Sequence, residues 1–291
     1  MNSKKDDNDE SALRVTLKPW SDRWKERRIG FHLEEVNPAL VKHASSLLPA
    51  NDETCSTSTT TSSTGSAAAT RIFVPLCGKA VDMAYMATSL STSTLTSTMI
   101  DEIDIEIVGL EGIKVALEEF IDEHPGLAIT KEPVPSTKTI PFERFVGKKV
   151  SLWKGDYFDL EPNMIGRFEA IYDRASIVAI EPELRKKYVQ ILANLLKQGG
   201  RILMVGLEKV ASPEHLDAAK KGPPYSISEA ELRKFFSNIG DVDDDHSYQV
   251  TVLQVTDQLV ENPQDRERYA ELDKLLETVY LIRKEKKAIE K

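Results

Sequence analysis

The segment from residue 71 to residue 83 constrains the fold of this chain more than any other part of the sequence. Its first half, Ile72 to Val74, is an apolar run typical of a fully buried parallel strand, and Pro75 and Gly78 end that run. Small and apolar residues then recur at helical spacing. The segment therefore predicts a strand, a tight turn and a helix. Because glycine has no Cβ, a ligand can approach this turn closely, although a turn without any ligand has the same pattern.

The rest of the sequence alternates between apolar strand-like runs and helix-like segments. After the helix predicted for residues 182–197, the pair Gly199 and Gly200 precedes the apolar run 201–206, as expected near the fifth strand of a doubly wound sheet. Further strands are predicted at 103–110, 150–153, 168–172, 248–255 and 276–282. This alternation predicts an α/β fold with a mostly parallel sheet.

Composition limits the class of protein. The chain has 291 residues, 41% of them hydrophobic, which is enough for one sizeable core, and we expect a monomeric single domain. A net charge of −9 argues against a nucleic-acid partner. With two cysteines and no paired Cys or His spacing, we expect free thiols and no metal site. The polar N-terminus and the absence of a long apolar run predict a cytoplasmic protein with no membrane partner.

Several segments have the composition of solvated chain rather than of a packed core. Serine and threonine dominate residues 51–70, and a second polar patch falls within 89–104. Such segments bury too little apolar area to offset the entropy of ordering them, so we predict flexible insertions. A disordered tail is predicted at 1–15 and a solvated end at 285–291, which leaves one domain over residues 16–284.

The string Phe-Val-Pro-Leu-Cys-Gly-Lys-Ala-Val-Asp-Met, residues 73–83, resembles the glycine-loop motif of the thiopurine S-methyltransferase family. Other blocks resemble the same family in the same order: Trp20 to His32, Val108 to Glu111, Phe168 to Val178, Gly222 to Tyr225 and Asp265 to Leu281. The resemblance covers about residues 16–284. It implies a doubly wound, seven-stranded, mostly parallel sheet whose last strands form an antiparallel edge, and it implies S-adenosyl-L-methionine as the cofactor.

Glu111 is also suggested by its position in the sequence. It ends a β-rich run, which places its carboxylate at the ligand-binding edge of a parallel sheet. It follows Gly78 at a greater distance than the roughly 20 residues usual for a ribose-binding acid, and the polar patch between them accounts for the excess. An exposed acid at a helix start is the alternative.

The resemblance implies a set of cofactor-binding residues. An N-terminal lid, the glycine turn and three strand ends contribute them: Trp20, Trp24, Phe31, Leu76, Gly78, Glu111, Asp156, Tyr157 and Arg174. Simpler interpretations exist for some of them. Trp20 and Trp24 could belong to an ordinary packing helix, Asp156 could cap its own turn, and Arg174 could form a solvated ion pair with Asp173.

The reaction implied by the resemblance is methyl transfer to the sulfur of a small-molecule thiol or to a selenium analogue. Phe31, Tyr225, Arg174 and Arg266 match substrate-side positions of the family. We assign Arg174 and Arg266 the catalytic role of stabilising a thiolate, which needs no general base. A halide or thiocyanate methyltransferase of the same fold, or a cofactor-binding protein without turnover, remains an alternative.

Overall fold

The computed structural model describes residues 17–48, 69–90, 104–134, 142–239 and 246–287. The predicted tail at 1–15 and most of the predicted insertions at 51–70 and 89–104 lie outside these ranges. At the edges of the insertions, Thr70 already belongs to the first strand and a wide helical turn extends to Leu90. Within the described ranges, no helix is both long enough and apolar enough to cross a bilayer.

Nine described strands form one mixed sheet. In chain order they are β1 Thr70–Val74, β2 Ile105–Glu111, β3 Thr130–Glu132, β4 Glu143–Val146, β5 Val150–Lys154, β6 Phe168–Arg174, β7 Leu196–Val210, β8 His246–Asp257 and β9 Lys274–Lys286. Their spatial order is β3-β4-β5-β2-β1-β6-β7-β9-β8. The pairs among β5, β2, β1, β6 and β7 are parallel, whereas β4 and β9 run antiparallel to their neighbours.

The helices cover both faces of the sheet. They are α1 Lys18–Lys25, α2 Pro38–Leu47, α3 Val81–Tyr85, α4 Lys114–Glu123, α5 Pro162–Ile165, α6 Arg185–Leu195, α7 Leu216–Lys220, α8 Glu229–Ser237 and α9 Gln258–Glu261. Alternate strand residues separate into two buried clusters, one packed with α6 and α8 and the other with α2, α3 and α4. This two-sided burial explains why the central strands are apolar nearly throughout.

The predicted fold class is confirmed. Seven strands form the doubly wound sheet, and β8 and β9 make the predicted antiparallel edge. The short strands β3 and β4 extend the sheet beyond seven strands, and β3 was not predicted because its three residues are all exposed and show no apolar pattern. One boundary was wrong, because the last strand, predicted at 276–282, continues to Lys286, inside the predicted solvated end. The short helix α9 and a helical turn at Pro263–Arg266 precede this strand.

Helix ends follow the capping rules. Asn37 caps α2 by accepting the Ala39 amide at 2.8 Å, and Pro38 occupies the first helical position, where its missing N–H has no consequence. A capping box is present at the start of α8, with Ser228 and Glu231 each accepting the other's backbone N–H. These caps fix where the loops begin.

Candidate active site

The carboxyl ends of β1, β2, β5 and β6 meet at one edge of the sheet. Val74 pairs with Gly109, and Glu111 pairs with Lys154, so the loops after these strands are neighbours. The Cys77 amide donates to the Leu110 carbonyl at 2.9 Å, which joins the glycine turn to β2. In a parallel sheet this edge is where ligands bind.

Glu111 organises the glycine turn. Its Oε2 accepts the Gly78 amide at 2.9 Å, and its Oε1 accepts the Ile113 amide at 2.8 Å. Burial raises the pKa of this carboxyl, and the hydrogen bonds from the amides of Ile113, Gly78 and Gly112 oppose the rise. The predicted strand-end position is therefore observed, and the exposed alternative is excluded because Glu111 is buried.

The backbone of the turn needs unusual geometry at two residues. Gly78 has a φ of +51°, and Leu76, which is half-buried, has a φ of +43°. A Cβ on Gly78 would lie 3.4 Å from Cζ2 of Trp24. The left-handed backbone favours glycine at position 78, and the Trp24 ring covers the side of the turn where a Cβ would lie.

The lid segment, which we define as residues 17–36, packs on this edge. Trp24 is buried against Ile113 and belongs to a small cluster that includes Trp20 and Phe31. Phe31 contacts both tryptophans edge-on, with ring centroids 5.5 Å from Trp20 and 6.1 Å from Trp24. The structure therefore brings the three predicted aromatic residues together over the glycine turn.

Arg174 ties the lid segment to the sheet. It ends β6, and its Nη1 donates to the Phe31 carbonyl at 2.7 Å. The solvated ion pair with Asp173 is not what the structure shows, because Asp173 is fully buried and points to the opposite face, where it accepts the Tyr188 hydroxyl at 2.7 Å. Successive residues of a strand face opposite sides of the sheet.

Two carboxylates that sequence reasoning missed lie in the electrostatic field of Arg174. Burial raises the pKa of Asp82 and also that of Glu277, and the Arg174 guanidinium opposes both rises. Asp82 lies inside the quoted glycine-loop string, and Glu277 lies inside the last matching block. A search for acids within those blocks would have found both residues. The positive charge of Arg174 is thus partly offset before any ligand binds.

Asp156 follows β5 and is buried. Its Oδ1 accepts the Phe158 amide at 2.8 Å, so it caps the short turn Tyr157–Asp159, as the simpler interpretation expected. This cap does not exclude a second role, because a carboxylate accepts several hydrogen bonds.

The prediction for Tyr157 needs correction as far as its side chain is concerned. The ring stacks on Tyr188 with centroids 4.6 Å apart, and the hydroxyl donates to the Tyr188 carbonyl at 3.0 Å. With 2% of the residue exposed, this side chain belongs to the core under α6. Its apolar ring favours that core, and its hydroxyl finds a partner there.

Tyr225 lies on the predicted substrate side. Its ring packs on Gly222, where a Cβ would come within 2.2 Å of the ring, and its amide donates to the Val178 carbonyl at 2.7 Å. The Arg185 guanidinium, buried under this segment, donates to the carbonyls of Tyr225 and Ser226 at 3.1 and 2.8 Å. Nothing in the sequence distinguished Arg185 from other helix arginines.

Arg266 lies in the turn Pro263–Arg266, which connects the end of β8 to the start of β9. Because β9 runs antiparallel to β7, this connection lies at the carboxyl edge of the sheet. Its side chain is exposed. Among the residues that the structure describes, no carboxylate lies within ion-pair distance of it. Arg266 therefore offers positive charge to solvent, unlike Arg174.

A cavity lies away from this edge, beside the amino-terminal parts of β1 and β2. It has a volume of about 610 Å³ and is lined by the amino-terminal parts of β1 and β2, including Arg71 and Glu106, and by Phe142 and Trp153. Arg71 and Glu106 form an ion pair at 2.8 Å in its wall. Arg71 and Val108, at the start of two of the sequence motifs, line this cavity, but none of the predicted site residues does, so we do not assign the reaction to it.

The residues at the carboxyl edge fit S-adenosyl-L-methionine. The turn at Gly78 has no side chain of its own and lies under the Trp24 ring, and the Glu111 carboxylate keeps acceptor capacity beside it. The aromatic lid segment suits a sulfonium cation and an adenine ring. Cys77 is buried, which raises the pKa of its thiol, so it is not a nucleophile at this edge.

Comparisons with known proteins identify the family. The family model of thiopurine S-methyltransferase matches residues 15–285. The chain is 31% identical over 220 residues to thiopurine S-methyltransferase of Psychrobacter cryohalolentis, a match that covers 75% of this chain and 83% of the relative. It is 30% identical over 263 residues to that of Aliivibrio fischeri, covering 90% and 97%.

Among solved structures, the chain is similar to a Haemonchus contortus phosphoethanolamine N-methyltransferase 2 in complex with S-adenosyl-L-methionine. The TM-score is 0.48 at 11% identity, and the match covers 75% of this chain and 49% of that one. The family match and the arrangement of the glycine turn, Glu111 and the lid segment lead to the same conclusion. The chain belongs to the thiopurine S-methyltransferase family, whose cofactor is S-adenosyl-L-methionine, and it is a methyltransferase dependent on that cofactor.

Proposed function

We propose that the chain methylates the sulfur of an aromatic or heterocyclic thiol, or a selenium analogue. The observation that carries this proposal is the hydrogen bond from Arg174 to the Phe31 carbonyl. It holds aromatic rings and a guanidinium at the same edge of the sheet. A planar, acidic thiol is largely ionised near neutral pH, and such an anion suits an aromatic wall with a cation beside it.

The protein has little chemistry to perform on such a substrate. S-adenosyl-L-methionine supplies a methyl group bound to a positively charged sulfur. The thiolate forms a new carbon–sulfur bond as the old one breaks, which yields a thioether and S-adenosylhomocysteine, and the thiol proton has already been lost to solvent. The chain's own residues hold the thiolate in line and exclude water, which are the two effects that such a displacement needs.

The two arginines contribute differently in this proposal. Arg174 is partly offset by Asp82 and Glu277, and it holds the lid segment, so we assign it a shared role for both ligands. Arg266 has no carboxylate partner among the described residues and is exposed, so we assign it the main electrostatic contact with the thiolate. Stabilising the anion lowers the pKa of the thiol.

The test is a nucleophile panel with the full chain and S-adenosyl-L-methionine. We expect turnover with thiophenol and with heterocyclic thiols such as 6-mercaptopurine, and little turnover with the aliphatic control glutathione. Mass spectrometry of the thioether and of S-adenosylhomocysteine provides the readout. Methylation of iodide or thiocyanate in preference to every thiol would support the halide alternative. Cofactor binding by calorimetry without any product would support a non-catalytic role.

A further inference from the structure

We propose that Asp82 is a positioning residue for cofactor binding. Its carboxylate fixes the end of the lid segment against β6 and thereby keeps Trp24 over the glycine turn. The inference rests on the assignment of S-adenosyl-L-methionine as cofactor, and it concerns the position of the lid segment rather than the methyl transfer itself.

The contacts of Asp82 join three parts of the chain. Its Oδ1 accepts the Asn37 amide at 2.8 Å, and its Oδ2 accepts the Tyr172 hydroxyl at 3.2 Å. All three residues are buried, with 3%, 4% and 1% of their surfaces exposed. One carboxylate thus links α3, the residue that follows the lid segment, and strand β6.

Each of these three residues lies near a predicted site residue. Asp82 comes four residues after Gly78, Asn37 comes six residues after Phe31, and Tyr172 precedes Arg174 by two residues on the same strand face. Because Arg174 donates to the Phe31 carbonyl, the lid segment is attached to β6 at two points. Replacing Asp82 would remove the attachment through Asn37 and Tyr172 and leave the one through Arg174 in place.

A third attachment of the lid segment, to α4, is weaker. Arg27 forms an ion pair with Glu119 on α4. Glu119 also forms an ion pair with Lys79 of the glycine loop, with 3.1 Å between Oε2 and Nζ. The side chain of Arg27 is 62% exposed, and exposed ion pairs contribute little to stability because water and salt screen them. The buried contact through Asp82 is therefore expected to hold the lid segment more firmly than the Arg27 pair does, alongside the hydrogen bond from Arg174 to the Phe31 carbonyl.

The inference is supported by the lack of a packing explanation for an acid at this position. A buried carboxylate must lose its hydration, and the raised pKa of Asp82 reflects this loss. An apolar residue would fill the same space beside α2 without that loss, whereas it could not accept the Asn37 amide.

The experiment compares Asp82→Ala and Asp82→Asn with the matched control Asp122→Ala, which removes an exposed acid of α4. Calorimetry with S-adenosylhomocysteine measures affinity. Trypsin cleavage after Lys25, Arg27 and Arg28, followed by mass spectrometry with and without S-adenosylhomocysteine, measures whether the lid segment is held. The three basic residues are exposed, so cleavage reports on local opening.

We expect Asp82→Ala to weaken S-adenosylhomocysteine binding by about fivefold or more and to remove most of the ligand's protection of the lid segment. Asp82→Asn retains an oxygen for the Asn37 amide and should restore affinity to within about twofold of the wild type. Asp122→Ala should match the wild type in both measurements. Rescue by Asn would distinguish positioning from a general loss of packing.

Wild-type affinity and wild-type protection in a folded but less stable Asp82→Ala variant would overturn the inference and leave the cofactor assignment intact. If Asp82→Ala does not fold, Tyr172→Phe removes one hydroxyl only, and it should weaken binding by about twofold and speed cleavage of the lid segment. Unchanged binding and cleavage in that variant would also overturn the inference. No binding by the wild-type chain would instead refute the cofactor assignment.

Discussion

Asp173 offers a direct test of the electrostatics of the sheet edge through the variant Asp173→Asn. Its carboxylate has no exposed surface and accepts the Tyr188 hydroxyl at 2.7 Å and the Ile177 amide at 3.2 Å. Burial nevertheless raises the pKa of this carboxyl from 3.8 to about 6, and the hydrogen bonds only partly oppose the rise. The folded protein therefore binds a proton here more tightly than the unfolded chain does.

The sign and size of the effect follow from this difference. A raised folded-state pKa contributes stability that is fully present below pH 3.8 and is lost as the pH rises through about 6. At about 1.36 kcal/mol for each pH unit, the loss amounts to about 3 kcal/mol by pH 8. Protonated aspartic acid and asparagine have similar shapes and each carries a donor. The two proteins should therefore be nearly equal in stability at pH 4, and the Asn variant about 2–3 kcal/mol more stable at pH 8.

The assay is urea unfolding of the full chain at several pH values between 4 and 8, with the difference in unfolding free energy plotted against pH. Other titrating groups cancel in that difference. Asp122→Asn, an exposed control, should give a flat line. Tyr188→Phe removes a hydrogen-bond donor to the Asp173 carboxylate. With Asp173 present, this variant should therefore lose more unfolding free energy between pH 4 and pH 8 than the wild type does. A constant difference between Asp173→Asn and the wild type across the pH range would refute the reasoning.

Three further predictions concern the site and the insertion. Glu111→Ala should weaken S-adenosyl-L-methionine binding by about 1–3 kcal/mol in calorimetry, whereas Glu111→Gln, which keeps an acceptor, should lose less; unchanged affinity in a folded Ala variant would remove Glu111 from the site. Arg266→Ala should lower kcat/KM for an acidic aryl thiol by roughly 10- to 100-fold and raise the apparent pKa of its reaction, with cofactor affinity unchanged; a wild-type pH–rate profile would contradict this. Deletion of residues 54–66 should leave the Tm and turnover nearly unchanged, and a large loss of either would show that this stretch is structured.

The fold was predictable from sequence because its strands are buried on both faces. The apolar runs around Ile72, Val150 and Ile202 stand out as strands, and the glycines and prolines between them mark the turns. The outermost strand β3, which pairs with β4, has no such apolar run. Residues 130–132 are polar and exposed, so their pairing with β4 depends on backbone hydrogen bonds that composition does not reveal.

The local geometry of the candidate site could be predicted for residues whose own type or position in a strand determines it. It could not be predicted for residues whose direction depends on distant neighbours. Gly78 has a left-handed backbone, which a glycine after an apolar run suggests. Glu111 is the last residue of β2, as the β-rich run before it predicted. The direction of the Tyr157 side chain was not predictable, because a tyrosine after a strand can turn either to the ligand edge or into the core, and here it stacks on the Tyr188 ring in the core. Arg185 was missed because its role depends on two carbonyls about 40 residues away.

The pKa values of acidic side chains shift in opposite directions at the two ends of the parallel strands. Near the amino end of β6, Glu169 pairs with Lys197 and accepts the Arg71 amide, and its pKa is lowered although burial acts in the opposite direction. An acid of this kind stabilises the folded state above its ordinary pKa, and the contribution is lost as the pH falls through the lowered pKa. This arrangement is typical of a structural ion pair.

At the carboxyl end the arrangement is reversed. Burial raises the pKa of each of four acids there, Asp82, Glu111, Asp173 and Glu277, and for the first and last of them Arg174 opposes the rise. Each of the four reduces stability as the pH rises through its folded-state pKa. A chain selected for stability alone would replace such groups, because apolar residues of similar volume are often neutral or stabilising. Asp173 faces the core beside Tyr188, but the other three acids lie on the side of the sheet that carries the lid segment, and we propose that they are retained there for ligand binding at a cost in stability.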